Sequence, residues 1–173
     1  TTSANQTLSS ANIAARVQTL PKGARIKFLE SFFDLNNKRW HIDKDGALEI
    51  TEDHILANAI NIHNGLQEIR ISSSPSVVPD SHDLQIGLKK INIGDFTPYL
   101  VKSNRLEGLL TGSIQVIDPF GKLLIDADAE AELFRLDNDS IGKLDLSAYY
   151  DHPNRQVNFK AVSENHLYDF ILA

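Results

Sequence analysis

Four carboxylates at every second position, Asp126, Asp128, Glu130 and Glu132, alternate with Ala127, Ala129 and Ala131. On a strand they share one face, where they would suit a calcium ion or a general-acid site. The same spacing describes the solvated side of a half-buried strand, and that reading asks nothing more of the chain. Asp137-Asn138-Asp139 opens like a calcium loop, but Ile141 stands at the fifth position and the closing glutamate is missing. The six histidines, His41, His54, His63, His82, His152 and His166, are dispersed without a local metal-ligand spacing. Neither a G-x-S-x-G nucleophile elbow nor a G-x-x-x-x-G-K phosphate loop occurs. Cysteine is absent, which excludes disulfides, thiolate zinc sites, iron-sulfur clusters and thiol catalysis. Asn5-Gln6-Thr7 and Asn138-Asp139-Ser140 are formal glycosylation sequons, a pattern frequent by chance. The expectation is a non-enzymatic chain without metal or cofactor.

Charge narrows the partners. Lys and Arg number 17 against 23 Asp and Glu, and the basic residues are scattered singly, so a nucleic-acid-binding stripe is not expected. Uninterrupted apolar stretches last only a few residues, short of the roughly 20 that a membrane-spanning helix needs. The chain opens Thr1-Thr2-Ser3 and holds no methionine, which predicts a processed chain or an excerpt. Any export signal or anchor would then lie upstream of residue 1.

The elements that must position these residues are strands. Apolar residues recur at every second position in Ile13/Ala15/Val17, Ile26/Phe28, Trp40/Ile42, Leu48/Ile50, Ile60/Ile62 and Ile69/Ile71. The pattern continues in Leu84/Ile86/Leu88, Ile91/Ile93, Leu106/Leu110/Ile114/Val116, Leu123/Ile125/Ala127, Leu144/Leu146/Ala148/Tyr150 and Val157/Phe159/Ala161. A period of two with no long helical stripe predicts an all-β chain. Asp45-Gly46 and Asn64-Gly65 predict tight hairpin turns. Asp118-Pro119-Phe120-Gly121 and Asp151-His152-Pro153-Asn154 predict further turns, so neighbours should run antiparallel in a meander. Residues 1–10 are polar and expected to be disordered. Residues 11–71 form a first group of hairpins, in which the ANIAARVQTL segment is read as strand. The Ser- and Pro-rich run 72–83 is expected to be the longest loop. Residues 84–173 form a second group, with a short helix near 97–102 begun by Thr97-Pro98. One continuous sheet accommodates all of it.

A sheet apolar on one side must bury that side. Periodicity alone leaves two architectures: a closed β-sandwich, which is the commoner solution, and an open, curved sheet whose concave face lines a groove.

The second half carries a more particular pattern. In LQIGLKKINIGDFTPYLVKSNRLEGLLTGSIQVIDPFGKLLIDADAEAEL, an alternating strand and a short F-x-P-x-L stretch precede Leu106-x-Gly108-x-Leu110-x-Gly112-x-Ile114-x-Val116, then a turn and another alternating strand. This resembles a recurrent unit of the TamB family, the translocation and assembly module of Gram-negative bacteria, and of AsmA-like proteins. Phe32 to Ser72, with F-F-D-L-N-N-x-x-W-x-I-D-x-D-G, N-A-I-N-I and Q-E-I-R-I-S, is similar to the segment before the terminal domain in TamB-like proteins of the Bacteroidetes type. The resemblance covers most of residues 26–173. Asp118-Pro119 stands where the family often has another glycine, and residues 1–25 match nothing in it.

The resemblance implies a long, curved, mainly antiparallel meander sheet forming a half-pipe. It implies a segment of a periplasm-spanning bridge that guides phospholipid acyl chains or nascent hydrophobic polypeptide towards the outer membrane. An N-terminal inner-membrane anchor and an outer-membrane barrel insertase of the TamA or BamA type are implied through the full-length protein. The expected groove residues are Leu84, Ile86, Leu88, Ile91, Ile93, Leu106, Leu110, Ile114, Val116, Leu123, Ile125, Leu144, Leu146, Val157 and Phe159. Gly108 and Gly112 are expected as structural glycines that let the sheet coil or another backbone approach. Exposed apolar edges would allow the isolated segment to self-associate. The competing reading is a self-contained β-sandwich of a cell-surface protein, binding glycan or protein through Trp40, Tyr149 and Tyr150.

Overall fold

A computed structural model describes residues 8–97, 104–152, 154–163 and 167–172. Its strands run β1 (Leu8–Asn12), β2 (Ala15–Leu20), β3 (Gly23–Phe28), β4 (Ser31–Leu35), β5 (Lys38–Ile42), β6 (Ala47–Thr51), β7 (Ile55–Asn58) and β8 (Ile60–Asn64). They continue with β9 (Gln67–Pro75), β10 (His82–Asn92), β11 (Leu106–Ile117), β12 (Leu124–Leu136), β13 (Asp139–Asp151), β14 (Gln156–Ser163) and β15 (Leu167–Leu172). Every pairing is antiparallel. Eleven strands form one sheet in the order β1-β4-β5-β8-β9-β10-β11-β12-β13-β14-β15, and four form a second in the order β2-β3-β6-β7. The large sheet does not close, since β1 and β15 remain its two edges. The fold is all-β and open.

The two sheets share their connectivity. β1 with β2, β3 with β4, β5 with β6 and β7 with β8 are halves of four long strands, and the halves keep the same neighbours on both sides of a bend. Backbone hydrogen bonds cross the bend: the Leu29 N–H donates to Ala14 O at 2.9 Å, Phe28 N–H to Gly46 O at 2.8 Å, and Asp43 N–H to Asn61 O at 3.0 Å. Positive φ angles at Asp45 (78°) and Ala59 (47°) turn the chain there. Asp45-Gly46 therefore makes a corner inside one strand pair's path and not the hairpin expected from its composition, because β5 and β6 pair with different neighbours and never with each other. The hairpin nearby is Asn36-Asn37, both with positive φ (50° and 62°), the signature of a type I′ turn.

A second line of irregularity crosses the large sheet. Register shifts fall between Leu88 and Ile91 in β10, between Glu107 and Leu109 in β11, and between Ala131 and Phe134 in β12. Positive-φ residues sit at one level on β11, β12 and β13, Gly108 (145°), Leu133 (53°) and Gly142 (94°), and Lys90 (50°) on β10 lies beside Thr111, three residues further along. Each such bulge bends its strand and increases local twist. A row of them curls the sheet.

The best-packed point lies beside that row. Trp40 is 1% exposed and stacks on Phe33, with centroids 6.3 Å apart and planes 3° apart, and it meets Phe96 edge-on. Leu35, Ile91, Leu88, Ile69 and Leu110 complete the cluster. Lys38 Nζ donates to both carboxylate oxygens of Asp95 at 2.7 and 2.8 Å, and Asn36 Nδ2 donates to the Asp95 carbonyl at 2.6 Å. The β4–β5 hairpin is thereby pinned to the 3-10 helix Ile93–Asp95 that ends β10.

Several expectations are corrected. The loop expected over Ser72–Asp83 shrinks to Ser76–Ser81: Ser72 to Ser74 belong to β9 and His82 and Asp83 to β10. Pairing with β10 supplies the ladder, and the hydroxyls add to it, with Ser73 Oγ accepting from Ala57 N–H at 2.7 Å and Ser74 Oγ from Gln85 Nε2 at 3.2 Å. Leu8 to Ser10, expected to be disordered, form part of β1 against β4. Residues 1–7 lie outside the described residues. Ile93 is in the 3-10 helix and not on a strand. Residues 98–102 of the expected helix near 97–102 lie outside the described residues.

The turn after β11 is held by one carboxylate. Asp118 Oδ2 accepts from Lys122 N–H at 2.8 Å and Oδ1 from Ser81 Oγ at 2.9 Å, tying this hairpin to the β9–β10 connection. The Lys122 backbone N–H first, and then Ser81, hold its pKa below the ordinary carboxylate value. A depressed folded pKa contributes stability that is complete above the unfolded value near 3.8 and is lost as pH falls through the lower folded value. Asp118→Asn should therefore lower the melting temperature at pH 7, and its gap to the parent chain should narrow below about pH 4 as both become neutral, read by circular dichroism. Trp40→Ala should cost about 3–5 kcal/mol in urea unfolding, whereas Leu66→Ala, at a side chain 82% exposed, should leave the midpoint in place.

Candidate functional site

Directly paired residues of antiparallel strands point to the same face, so register defines the two surfaces of the large sheet. One row reads Ile60, Ile71, Ile86, Ile114, Ala127, Ala148 and Phe159 from β8 to β14. The next reads Ile42, Ile62, Ile69, Leu88, Gly112, Ala129, Leu146 and Ala161. A third runs Ile91, Leu110, Ala131 and Leu144. The intervening rows are polar: Gln85, Gln115, Asp126, Tyr149 and Asn158, and Gly87, Ser113, Asp128, Ser147 and Lys160. Across β8 to β14 the sheet is mainly apolar on one side and mainly polar on the other.

Among the described residues no second layer buries the whole apolar side. Among the described residues only nine apolar side chains are buried, too few for a closed sandwich core, and Val157 in this face is 40% exposed. The four-stranded sheet repeats the situation: Val17, Ile26, Leu48 and Ala57 share a face by register, and Val17 is 68% exposed.

Where the bulge row curls the sheet, the apolar face deepens into a trough of about 860 Å³. Ile69, Leu88, Ile91, Ile93, Phe96, Leu106, Leu110, Phe134, Leu136, Ile141, Leu144, Leu146, Phe159 and Ala161 line it, and among the described residues Asp139 is the one charged side chain in its wall. Gly108 and Gly112 shape it differently. Gly108 adopts a φ of 145° that other residues avoid. At Gly112 the constraint is space, since a Cβ would stand 2.5 Å from both Cα and Cβ of Ala129 and closer still to the Asp128 carbonyl oxygen.

Eight of the expected groove residues line this trough: Leu88, Ile91, Ile93, Leu106, Leu110, Leu144, Leu146 and Phe159. Leu84, Ile86, Ile114, Val116, Ile125 and Val157 lie outside it, along the rest of the sheet. Register places Ile86 and Ile114 in the first apolar row, and Leu84, Val116 and Ile125 beside them in one cross-strand set. Leu123 is the exception. It has a φ of 46° and donates its N–H to Asp118 O at 2.9 Å, so it belongs to the turn, and β12 starts one residue later. Phe96, Phe134, Leu136 and Ile141 were not among the expected residues. Phe134 to Ile141 fall beyond the bulges at Leu133 and Gly142, where an extra residue breaks the period of two, and Phe96 lies past the end of β10.

The acidic row faces away from the trough. Glu130 pairs with Lys143 at 2.8 Å and Glu132 with Lys90 at 2.5 Å, while Asp126 and Asp128 are exposed. No three His, Asp or Glu side chains among the described residues converge as a metal cluster. No helix among them is long and apolar enough to cross a membrane. Comparison with family models, curated proteins and solved structures finds no match.

Gly112→Val should weaken folding by about 1–3 kcal/mol, because the β11–β12 approach has no room for a side chain. Ser113→Val, which puts the same side chain on the polar face, should cost far less in the same denaturant titration.

Proposed function

We propose that this chain is a conduit segment of a TamB- or AsmA-like bridge, whose apolar face carries phospholipid acyl chains or hydrophobic polypeptide across the periplasm towards the outer membrane. The observation that carries the proposal is the pair of apolar rows that run across seven and eight adjacent strands and stay half-exposed over most of their length, with Ile42, Ile60 and Ala161 buried. An exposed face of that extent is unfavourable in water by roughly 25 cal/mol per Å², and contiguous apolar patches mark interaction sites. A trough of about 860 Å³ is within the range of small-molecule sites, roughly 300–1,000 Å³. Its wall offers shape and apolar contact in place of directional polar groups, which suits flexible hydrocarbon and serves no bond-breaking chemistry. In this reading the whole protein is held at the inner membrane by a segment beyond this chain and delivers cargo to a barrel insertase of the TamA or BamA type.

Native mass spectrometry of the chain purified from bacterial envelopes tests it. The parent should retain about one equivalent of phospholipid, and Leu110→Asp and Ile114→Asp should lose it while keeping their circular dichroism spectra. A lipid-free, monomeric parent chain would overturn the proposal.

A further inference from the structure

Twenty-two positions apart in sequence, His41 on β5 and His63 on β8 are directly paired in the ladder. They lie on the polar side of the sheet, since the adjoining pair, Ile42 and Ile62, belongs to an apolar row. The two imidazoles stack with centroids 5.5 Å apart and planes 22° apart.

Asp43 organises one of them. Its Oδ1 lies 3.1 Å from His63 Nε2, and its Oδ2 accepts from Asn61 Nδ2 at 2.7 Å. An ionised carboxylate only accepts, so it holds the proton of the neutral ring on Nε2 and leaves the Nδ1 lone pair unprotonated. That is the orientation which a carboxylate gives a metal-ligating histidine. His41 makes no hydrogen bond to any described residue, so its lone pair is also unengaged. Both rings border a concavity of about 530 Å³ together with Glu30, Asp43, Lys44 and Asp45, and Glu68 is paired beside His63.

We propose that His41 and His63 form a two-imidazole site for a divalent transition-metal ion, with Asp43 as its positioning residue and water in the remaining positions. Imidazole is a preferred donor for zinc, copper and nickel. Two rings sharing an ion at about 2.0–2.1 Å from each nitrogen have centroids roughly 5–5.5 Å apart. The observed spacing meets that requirement, so the rings need to turn about their own torsions and the strands need not move. His54 offers a contrast: its Nδ1 lies 3.0 Å from Asp53 and its Nε2 3.2 Å from Glu49, so carboxylates occupy both nitrogens.

The location gives the ion something to do. β5 and β8 are joined by two registered pairs, His41 with His63 and Ile42 with Ile62, fewer than any other join in the sheet. An ion bound across it would staple that join and stabilise the folded state by mass action. This site is independent of what fills the trough.

Zinc chloride titrated into the untagged chain near pH 7.5 tests the proposal by calorimetry and thermal unfolding. One equivalent should bind and raise the melting temperature. Both effects should vanish in His41→Ala and in His63→Ala. Asp43→Ala should weaken binding about 10- to 100-fold, and His54→Ala should bind as the parent does. Absence of zinc uptake at about 1 mM, or uptake that survives the double replacement of His41 and His63, overturns the site. Unchanged affinity in Asp43→Ala overturns the positioning role.

Discussion

Antiparallel pairing places each residue opposite one partner on the next strand with both side chains on the same face. In this chain that geometry is applied across eleven neighbouring strands, and from β8 to β14 most isoleucines, leucines and alanines fall on one side, with Leu109, Ile117 and Leu124 among the exceptions. Slipping a strand by one residue would exchange its faces. For β12 the slip would carry Asp126, Asp128, Glu130 and Glu132 onto the apolar side and Ala127, Ala129 and Ala131 into water. The cost of four carboxylates without water or partners holds the register, and the register builds the trough.

Curvature comes from places where the ladder departs from regularity. The bulge row through Lys90, Gly108, Leu133 and Gly142 curls the later strands, and the bend through Asp45 and Ala59 folds back the first four. Between them, Trp40 joins the Phe33 side of the sheet to the Ile93–Phe96 segment. Among the described residues the packing is concentrated there and thins out elsewhere.

Much of this was legible as pattern. Alternation located most strands, and eight of the fifteen expected groove residues line the trough. The failures have physical causes. Serine-rich residues 72–75 looked like loop, yet serine hydroxyls satisfy neighbouring backbone groups when a strand lies beside them, as Ser73 does for Ala57. Asp-Gly permits positive φ without saying whether the chain then reverses or only bends. Leu123 keeps the parity of Ile125 but sits in the turn that Asp118 holds. Phe134, Leu136 and Ile141 lie past bulges, where parity no longer predicts the face.

A period of two is a property of each segment by itself, and it determined that the chain forms strands with one apolar and one polar side. Which strands become neighbours, where the ladder slips, and whether a second layer covers the apolar side depend on residues far apart in the chain. The stacked His41 and His63 show the difference: as sequence they are two unrelated histidines, and the β5–β8 register alone brings their rings within 5.5 Å. Local steric preference decides the strand, whereas pairing across the sheet is a competition among distant partners that only the folded chain resolves.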